Sequence, residues 1–333
     1  MEHRPGLDPA VAEVRLAVRR ALGGLAPGSA VVVALSGGAD SLALASAVAF
    51  EAPKLGLRST ALIVDHGLQE GSTDAATAAA DKARTLGLDA RVVRVEVSGG
   101  DGPEAAARAA RYEALGAEAG ALDAAVLTAH TLDDQAETVL LGLARGSGGA
   151  SLQGMAPAST LANGVALLRP LLGVRRATTR AACAAEGLEP WDDPHNLDPR
   201  FARVRVRERV LPVLEEELGP GVAEALARTA EQLREDAEAF ADMIDEIIED
   251  VVEHAEAGIS VSVAALAANP AALRNRIIRH VVAAEFGESL TRTQTLEVAR
   301  LVTDWSGQGP IDLPGCRAHR SGGRIVFTAN ARR

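Results

Sequence analysis

Val31–Ser46 reads VVVALSGGADSLALAS: a β-branched run, a Ser-Gly-Gly turn, then Asp40 and Ser41 opening an apolar helix. A strand feeding a glycine turn feeding a helix makes a phosphate cradle. Gly37 and Gly38 let the backbone take positive φ and come close to a ligand, while the N–H groups and positive dipole end of the helix favour an anion. Ser36 and Ser41 add hydroxyl donors, and Asp40 is a residue type that holds a divalent cation against a polyphosphate. The competing reading is a plain strand-to-helix turn capped by Asp40 or Ser41.

The stretch lacks the Gly-x-x-x-x-Gly-Lys-Ser/Thr spacing of a Walker loop, and the chain's lysines, Lys54 and Lys82, follow no such glycines. It is not a Gly-x-Gly-x-x-Gly dinucleotide fingerprint either. Ser36-Gly37-Gly38-Ala39-Asp40-Ser41 instead resembles the SGGxDS signature of the PP-loop, or N-type, ATP pyrophosphatases. The resemblance implies cleavage of ATP between the α and β phosphates, adenylation of a substrate and release of pyrophosphate.

Working outward, residues 30–144 alternate strand and helix patterns. Strands are expected at Ala30–Leu35, Ser59–Val64, Ala90–Val97 and Ala124–Ala129, and helices at Ser41–Phe50, Asp74–Leu86, Glu104–Glu118 and Asp133–Ala144. This predicts an α/β class with a parallel, Rossmann-like sheet covered on both faces, its ligands outside the carboxyl ends of the strands. Upstream, residues 1–25 read as an amphipathic helix ending at Gly23-Gly24. That segment is charged throughout and has no apolar core of signal-peptide length.

Polar clusters follow the strands. Asp65-His66-Gly67-Leu68 stands after the second and reads equally as a turn or as ligand contacts. Arg108 and Arg111, three apart on one helical face beside Tyr112, read most simply as a solvated face. After the fourth strand comes AHTLDDQAET, with His130, Asp133, Asp134 and Glu137 together. A capping box of Thr131 and Asp134 explains part of it. A magnesium-dependent nucleotide site explains more, because such a surplus of charge is costly to bury without a cation.

These three strings, in this order, are similar to elements of the tRNA(Ile)-lysidine synthases. The resemblance implies that Asp65 and His66 border the adenine and ribose, with His130 also on the nucleotide. It implies roles toward nucleotide, tRNA or lysine for Arg108, Arg111, Tyr112, Asp133 and Glu137, and makes Asp134 the leading candidate for metal or for the attacking amine. Arg145 opens a glycine-rich stretch, 145–165, read as a mobile loop, and LLRPLL at 167–172 continues the family's order. A helix is expected from Val174 to Glu186, carrying Arg175, Arg176 and Arg180.

Trp191–Asn196 and Arg203–Arg207 resemble the family's DPSN and RNRIR elements, with His195 for the usual serine and Val204 for the usual asparagine. Alone, the five arginines at 200, 203, 205, 207 and 209 read as a phosphate patch or a salt-bridged helix. The resemblance implies substrate contacts for Asp193, Asn196, Arg203 and Arg207, and puts Arg205 at the catalytic centre with Asp40 and Asp134, the latter two also as metal ligands.

Two domains are expected in 333 residues: a catalytic domain over 1–214, and a mainly helical tRNA-side domain over 215–333 closing on short strands near Pro310–Leu313 and Arg324–Thr328, with a turn at Gly322-Gly323. Residues 215–256 are dominated by Glu, Asp and Ala and read as a long helix whose face repels RNA phosphate. Helices are expected again at Ala271–Phe286, with Arg274, Arg276 and Arg279, and at Arg292–Trp305. A net charge of −11 excludes a generically basic nucleic-acid binder, and local arginine stripes must do any RNA binding. Cys183 and Cys316 form no Cys-x-x-Cys pair, so neither disulfide framework, zinc site nor cluster is implied, and a reducing cytoplasm fits. No apolar run is long enough to span a bilayer.

The resemblance thus implies ATP and Mg²⁺ as cofactors. Its substrates are L-lysine and an isoleucine tRNA with a CAU anticodon, joined to give lysidine. Dimerisation is left open. Two other readings stay open: a further PP-loop adenylating enzyme, such as a tRNA thiolase or amidotransferase type, and a non-catalytic nucleotide- or RNA-binding module.

Overall fold

The computed structural model describes residues 6–67, 71–96, 103–146, 148–191, 198–255 and 258–330, and divides into two compact units, Met1–Arg234 and Glu235–Arg333. The first unit opens with α1 (Pro9–Leu22), capped by the Asp8 carboxylate on the Ala10 N–H and buried along Val11, Val14, Val18 and Leu22 at helical spacing. Then follow β1 (Ala30–Ala34), α2 (Ala39–Glu51), β2 (Arg58–Asp65), α3 (Ser72–Thr85), β3 (Asp89–Arg94), α4 (Pro103–Ala121), β4 (Ala124–Leu127) and α5 (Leu132–Arg145). All four expected strands and four expected helices are present, with ends shifted by a few residues.

The sheet order is β3-β2-β1-β4-β6-β5, with β6 (Ala166–Leu168) parallel to β4 and β5 (Ala158–Thr160) antiparallel at the edge. In β1 successive side chains go to opposite faces: Val31 and Val33 pack under α1, α2 and α3, while Ala30 and Val32 pack with Leu115 and Ala119 of α4. The chain builds β1, β2 and β3 outward and then returns to lay β4 on the other side of β1. That reversal opens a crevice at the carboxyl ends of β1 and β4, where ligands of such sheets bind.

The 145–165 stretch expected as a mobile loop carries α6 (Gly149–Leu152) and β5. Its glycines make bends. Gly154 takes φ +61° against the Gln135 side chain, whose amide donates to Met155 O (2.8 Å) and accepts from Met155 N–H (2.6 Å). Farther on, α7 (Arg176–Ala185) is followed by α8 (Ala202–Arg205), a π-helical turn (Val206–Val210) and α9 (Leu211–Glu217).

The unit boundary falls inside α10 (Val222–Val251). The expected long acidic helix thus ends at Val251, and β7 (Val252–Ala255) takes its last residues. Then come β8 (Gly258–Ser262), α11 (Val263–Ala268), α12 (Ala271–Phe286), α13 (Arg292–Thr303), β9 (Ile311–Asp312), β10 (Cys316–Ser321) and β11 (Arg324–Ala329). The second unit's antiparallel sheet, β7-β8-β11-β10-β9, packs Val261, Ala318, Ile325 and Phe327 against Ile277, Ile278, Val281 and Leu301 of the helices.

Candidate active site

β1 delivers the chain to Ser36-Gly37-Gly38 at the crevice. Gly37 takes φ +85°, and a Cβ there would lie 3.4 Å from the Ala79 Cβ. Gly38 is the N-cap of α2 and makes no side-chain cap bond. The cradle is pinned by its serines: the Ser41 hydroxyl donates to Gly38 O (2.9 Å), accepts from Ser36 N–H (3.2 Å) and meets the Ser36 hydroxyl at 3.1 Å. Gly37 O accepts from Trp191 N–H at 3.0 Å. Ala39 and Asp40 begin the helix.

β4 ends on the other side of the crevice. Thr131 caps α5 in a capping box: its hydroxyl accepts from Asp134 N–H, and Asp134 Oδ2 accepts from Thr131 N–H (2.8 Å) and from the Thr131 hydroxyl (2.9 Å). The capping box is therefore real, yet it uses one carboxylate oxygen. Asp134 Oδ1 accepts from Arg176 Nη2 at 2.8 Å and Arg207 Nη2 at 3.5 Å. Fully buried Glu137, one turn on, accepts from Arg207 Nε (2.7 Å) and Nη2 (3.0 Å) and from Arg176 Nη1 (3.2 Å). Asp133 accepts from Arg176 N–H at 2.8 Å and from Arg175 Nη1 at 3.4 Å.

Arg176 joins the two walls. Its Nε reaches Asp40 Oδ2 at 3.4 Å while Nη2 holds Asp134, and the Thr179 hydroxyl donates to Asp40 Oδ1. The two carboxylates are tuned apart. Burial raises the Asp40 carboxyl above the ordinary range, against the pull of Thr179 and Arg176. Burial acts the same way on Asp134, but Arg176 and the Thr131 bonds outweigh it and hold Asp134 low. Burial also drives His130 down to about 4, so the imidazole is neutral; Asp134 opposes this, while Arg108, Arg169 and Arg203 reinforce it. Its Nδ1 lies 3.0 Å from the Thr128 hydroxyl.

At the end of β2, buried Asp65 accepts from Gly67 N–H (3.0 Å) and the Thr73 hydroxyl (2.9 Å). Burial alone would raise its carboxyl, but those bonds and one from Ser72 keep it low. His66 follows it at the strand's end. On α4, the Arg108 guanidinium lies 5.0 Å from the Tyr112 ring centre, with Arg111 exposed beside it. Arg145 ends α5 in an exposed position. Arg203 donates to the Thr138 hydroxyl at 3.1 Å and stands 3.9 Å from Glu137.

Arg205 is not brought to the acids: its Nη1 donates to the carbonyls of Pro199 (2.8 Å) and Arg200 (2.7 Å), and the side chain is exposed. Arg176 and Arg207 stand at the cluster instead. Asp193 and Asn196, with His195, lie outside the described residues. The sequence places Arg175 and Arg176 at the start of a helix and assigns them no role. A signal was present, since two arginines at a helix N-terminus oppose the helix dipole and need acids from elsewhere.

A PP-loop domain model matches residues 13–214, and a TilS substrate binding domain model matches 261–326. A tRNA(Ile)-lysidine synthase of Leifsonia xyli subsp. xyli is 62% identical over 306 residues, 91% of each chain. The chain belongs to the tRNA(Ile)-lysidine synthase family. Family members from Thermobifida fusca, 50% identical over 98% of this chain and 99% of that one, and Salinispora tropica, 52% identical over 96% and 97%, extend the match to nearly full length. A solved U34-tRNA thiolase of Methanococcus maripaludis, 21% identical, superposes with a TM-score of 0.58 over 68% of this chain and 79% of that one, which confirms the PP-loop fold. Lysidine-synthase membership also makes the chain an ATP-using ligase. Among the described residues no helix is long and apolar enough to cross a membrane.

Proposed function

We propose that the crevice between β1 and β4 carries out lysidine formation on isoleucine tRNA with a CAU anticodon. The C2 oxygen of the wobble cytidine attacks the α-phosphorus of ATP, the α–β phosphoanhydride bond breaks, and pyrophosphate leaves. Asp134 takes a proton from the lysine side-chain ammonium, the neutral amine then attacks C2, the bond from C2 to the adenylate oxygen breaks, AMP leaves, and the second proton shed by the nitrogen passes to solvent. The observation that carries this reading is the junction of a phosphate cradle with a carboxylate cluster across one switch point, bridged by Arg176 from Asp40 to Asp134.

The cradle N–H groups and the Ser36 and Ser41 hydroxyls hold polyphosphate oxygens. Asp65, His66 and neutral His130 border the nucleoside. Asp133, Asp134 and Glu137 recognise the cationic amine, and Arg108, Arg111, Tyr112, Arg145, Asp193, Asn196, Arg203 and Arg207 serve the tRNA and lysine. Arg205 offsets charge on the pentavalent phosphorus once it exchanges its carbonyl partners for phosphate.

Mg²⁺ fits the donor set. Asp40 and Asp134 already share one cationic stand-in, the Arg176 guanidinium, and two carboxylates plus substrate phosphates are this metal's usual company. Bound there, it would neutralise charge on the leaving pyrophosphate.

The test is AMP release from labelled ATP with an isoleucine CAU-anticodon transcript and lysine, against a methionine transcript, other amino acids and no tRNA. AMP only with the isoleucine transcript and lysine supports the reading. AMP with another partner, or turnover unchanged in folded Asp40→Ala or Asp134→Ala, defeats it.

A further inference from the structure

Among the described residues no group of three or more His, Cys, Asp or Glu side chains is arranged to hold a metal ion by itself. Four carboxylates nevertheless line one crevice, and one arginine meets all four. The Arg176 guanidinium contacts Asp40, Asp134 and Glu137, and its backbone N–H holds Asp133. Asp133 has Arg175 as a second partner and Glu137 has Arg207, which also reaches Asp134 at a longer 3.5 Å, while Asp40 and Asp134 are linked to each other through Arg176. The Arg176 side chain is 17% exposed, and its guanidinium is always protonated.

Resting on the proposed reaction, we infer that Arg176 is the resident cation of this cage, excluding free divalent metal and yielding its place when metal arrives on ATP. A hydrated Mg²⁺ ion from solution sheds water reluctantly, and to bind here it would have to expel a guanidinium that then has no new partner. Metal carried on a triphosphate changes that balance. The nucleotide brings anionic oxygens onto which the displaced guanidinium can fork. Charge is conserved in the exchange: metal goes to the carboxylates and Arg176 to phosphate.

The frame is built for a side-chain movement alone. Arg176 is the first residue of α7, and Asp133 fixes its backbone. Thr179, one turn along the same helix, keeps hold of Asp40 when the guanidinium leaves.

Manganese binding to the full chain, read from the electron paramagnetic resonance signal of the free ion, tests this. Wild type without nucleotide binds Mn²⁺ no tighter than about 1 mM, a value typical of weak carboxylate sites, and with ATP present takes up Mn²⁺ beyond what the same ATP chelates in a protein-free control. Arg176→Gln binds Mn²⁺ without ATP about tenfold more tightly than wild type. Arg176→Lys, a single ammonium that cannot span both acids, raises nucleotide-free affinity about threefold and covers the case in which the Gln variant fails to fold. Tight Mn²⁺ binding by wild type without ATP, or unchanged affinity in the folded variants, overturns the inference. These titrations contain neither tRNA nor lysine. Their failure counts against the exchange at Arg176, while failure of the AMP assay counts against the reaction.

Discussion

Arg207 meets Glu137 through two parallel bonds, Nε to Oε1 at 2.7 Å and Nη2 to Oε2 at 3.0 Å, with the carboxylate fully buried and the guanidinium mostly so. Removing Arg207 leaves buried Glu137 with only the 3.2 Å bond from Arg176 and the 3.9 Å approach of Arg203, which do not replace the lost fork. Arg207→Ala should therefore destabilise the first unit by about 2–3 kcal/mol, somewhat less than a fully buried pair because part of Arg207 reaches solvent. Arg205→Ala, which removes an exposed side chain from two carbonyls, should cost under about 1 kcal/mol. Urea titrations of both variants check this. Equal losses would remove the distinction between the two arginines.

The cradle yields a second comparison. Gly37 and Gly28 have nearly the same φ, +85° and +88°, but a Cβ on Gly28 meets nothing within 4 Å. Alanine at either position should cost about 1–2 kcal/mol from the left-handed conformation alone. Only Gly37→Ala puts a methyl at the phosphate turn, so it should also raise the KM for ATP at least about tenfold, a loss of roughly 1.4 kcal/mol of binding. Steady-state AMP release against ATP concentration separates the two variants. A matching rise in Gly28→Ala would mean that strain, not the methyl, is responsible.

What sequence could and could not show follows from the reach of each interaction. The cradle, the capping box and the parallel strands are local patterns of glycine, cap residue and β-branched run, and they stand where the pattern puts them. Arg176 lies 42 residues from Asp134 and 136 from Asp40, and no local periodicity reports a partner at that range. Arg205 and Arg207 are indistinguishable in an alternating RVRVR string. The π-helical turn from Val206 and the tertiary path of α9 decide which of them faces Glu137. Glycine density at 145–165 suggested slack because the residue that organises the segment, Gln135, sits in another element.

That organisation is itself testable. Gln135 offers both ends of its amide to the Met155 backbone, and Arg234 donates to Gln153 O (2.9 Å) and Met155 O (3.0 Å). Gln135→Ala leaves a backbone N–H and carbonyl without that partner and should cost about 1–3 kcal/mol. The same variant should open the 148–157 segment to limited proteolysis and speed its amide exchange, with β1 and β4 unaffected. Unchanged exchange at Met155 would show that the clamp is not what orders the segment.

His130 sets the pH response. Its imidazole, driven by burial to about 4 among Arg108, Arg169 and Arg203 and against the pull of Asp134, binds its proton far less readily folded than unfolded, where the ordinary value is 6.5. Between those values the unfolded chain holds more protons, so stability falls as pH drops from about 6.5 toward 4 and the contribution is intact above 6.5. The loss should reach about 1–3 kcal/mol at pH 4.5. Asp40 acts in the opposite sense, because its raised carboxyl favours the folded chain at low pH and loses that advantage as pH rises through its folded value. Its contribution is shared by His130→Gln, so the difference between wild type and this variant isolates the histidine. Urea titrations at half-unit steps from pH 4.5 to 7.5 should give a wild-type curve that falls more steeply below 6.5 than that of His130→Gln, the two running parallel above 7. Curves parallel throughout would mean that His130 titrates near its ordinary value and is not held neutral by its surroundings.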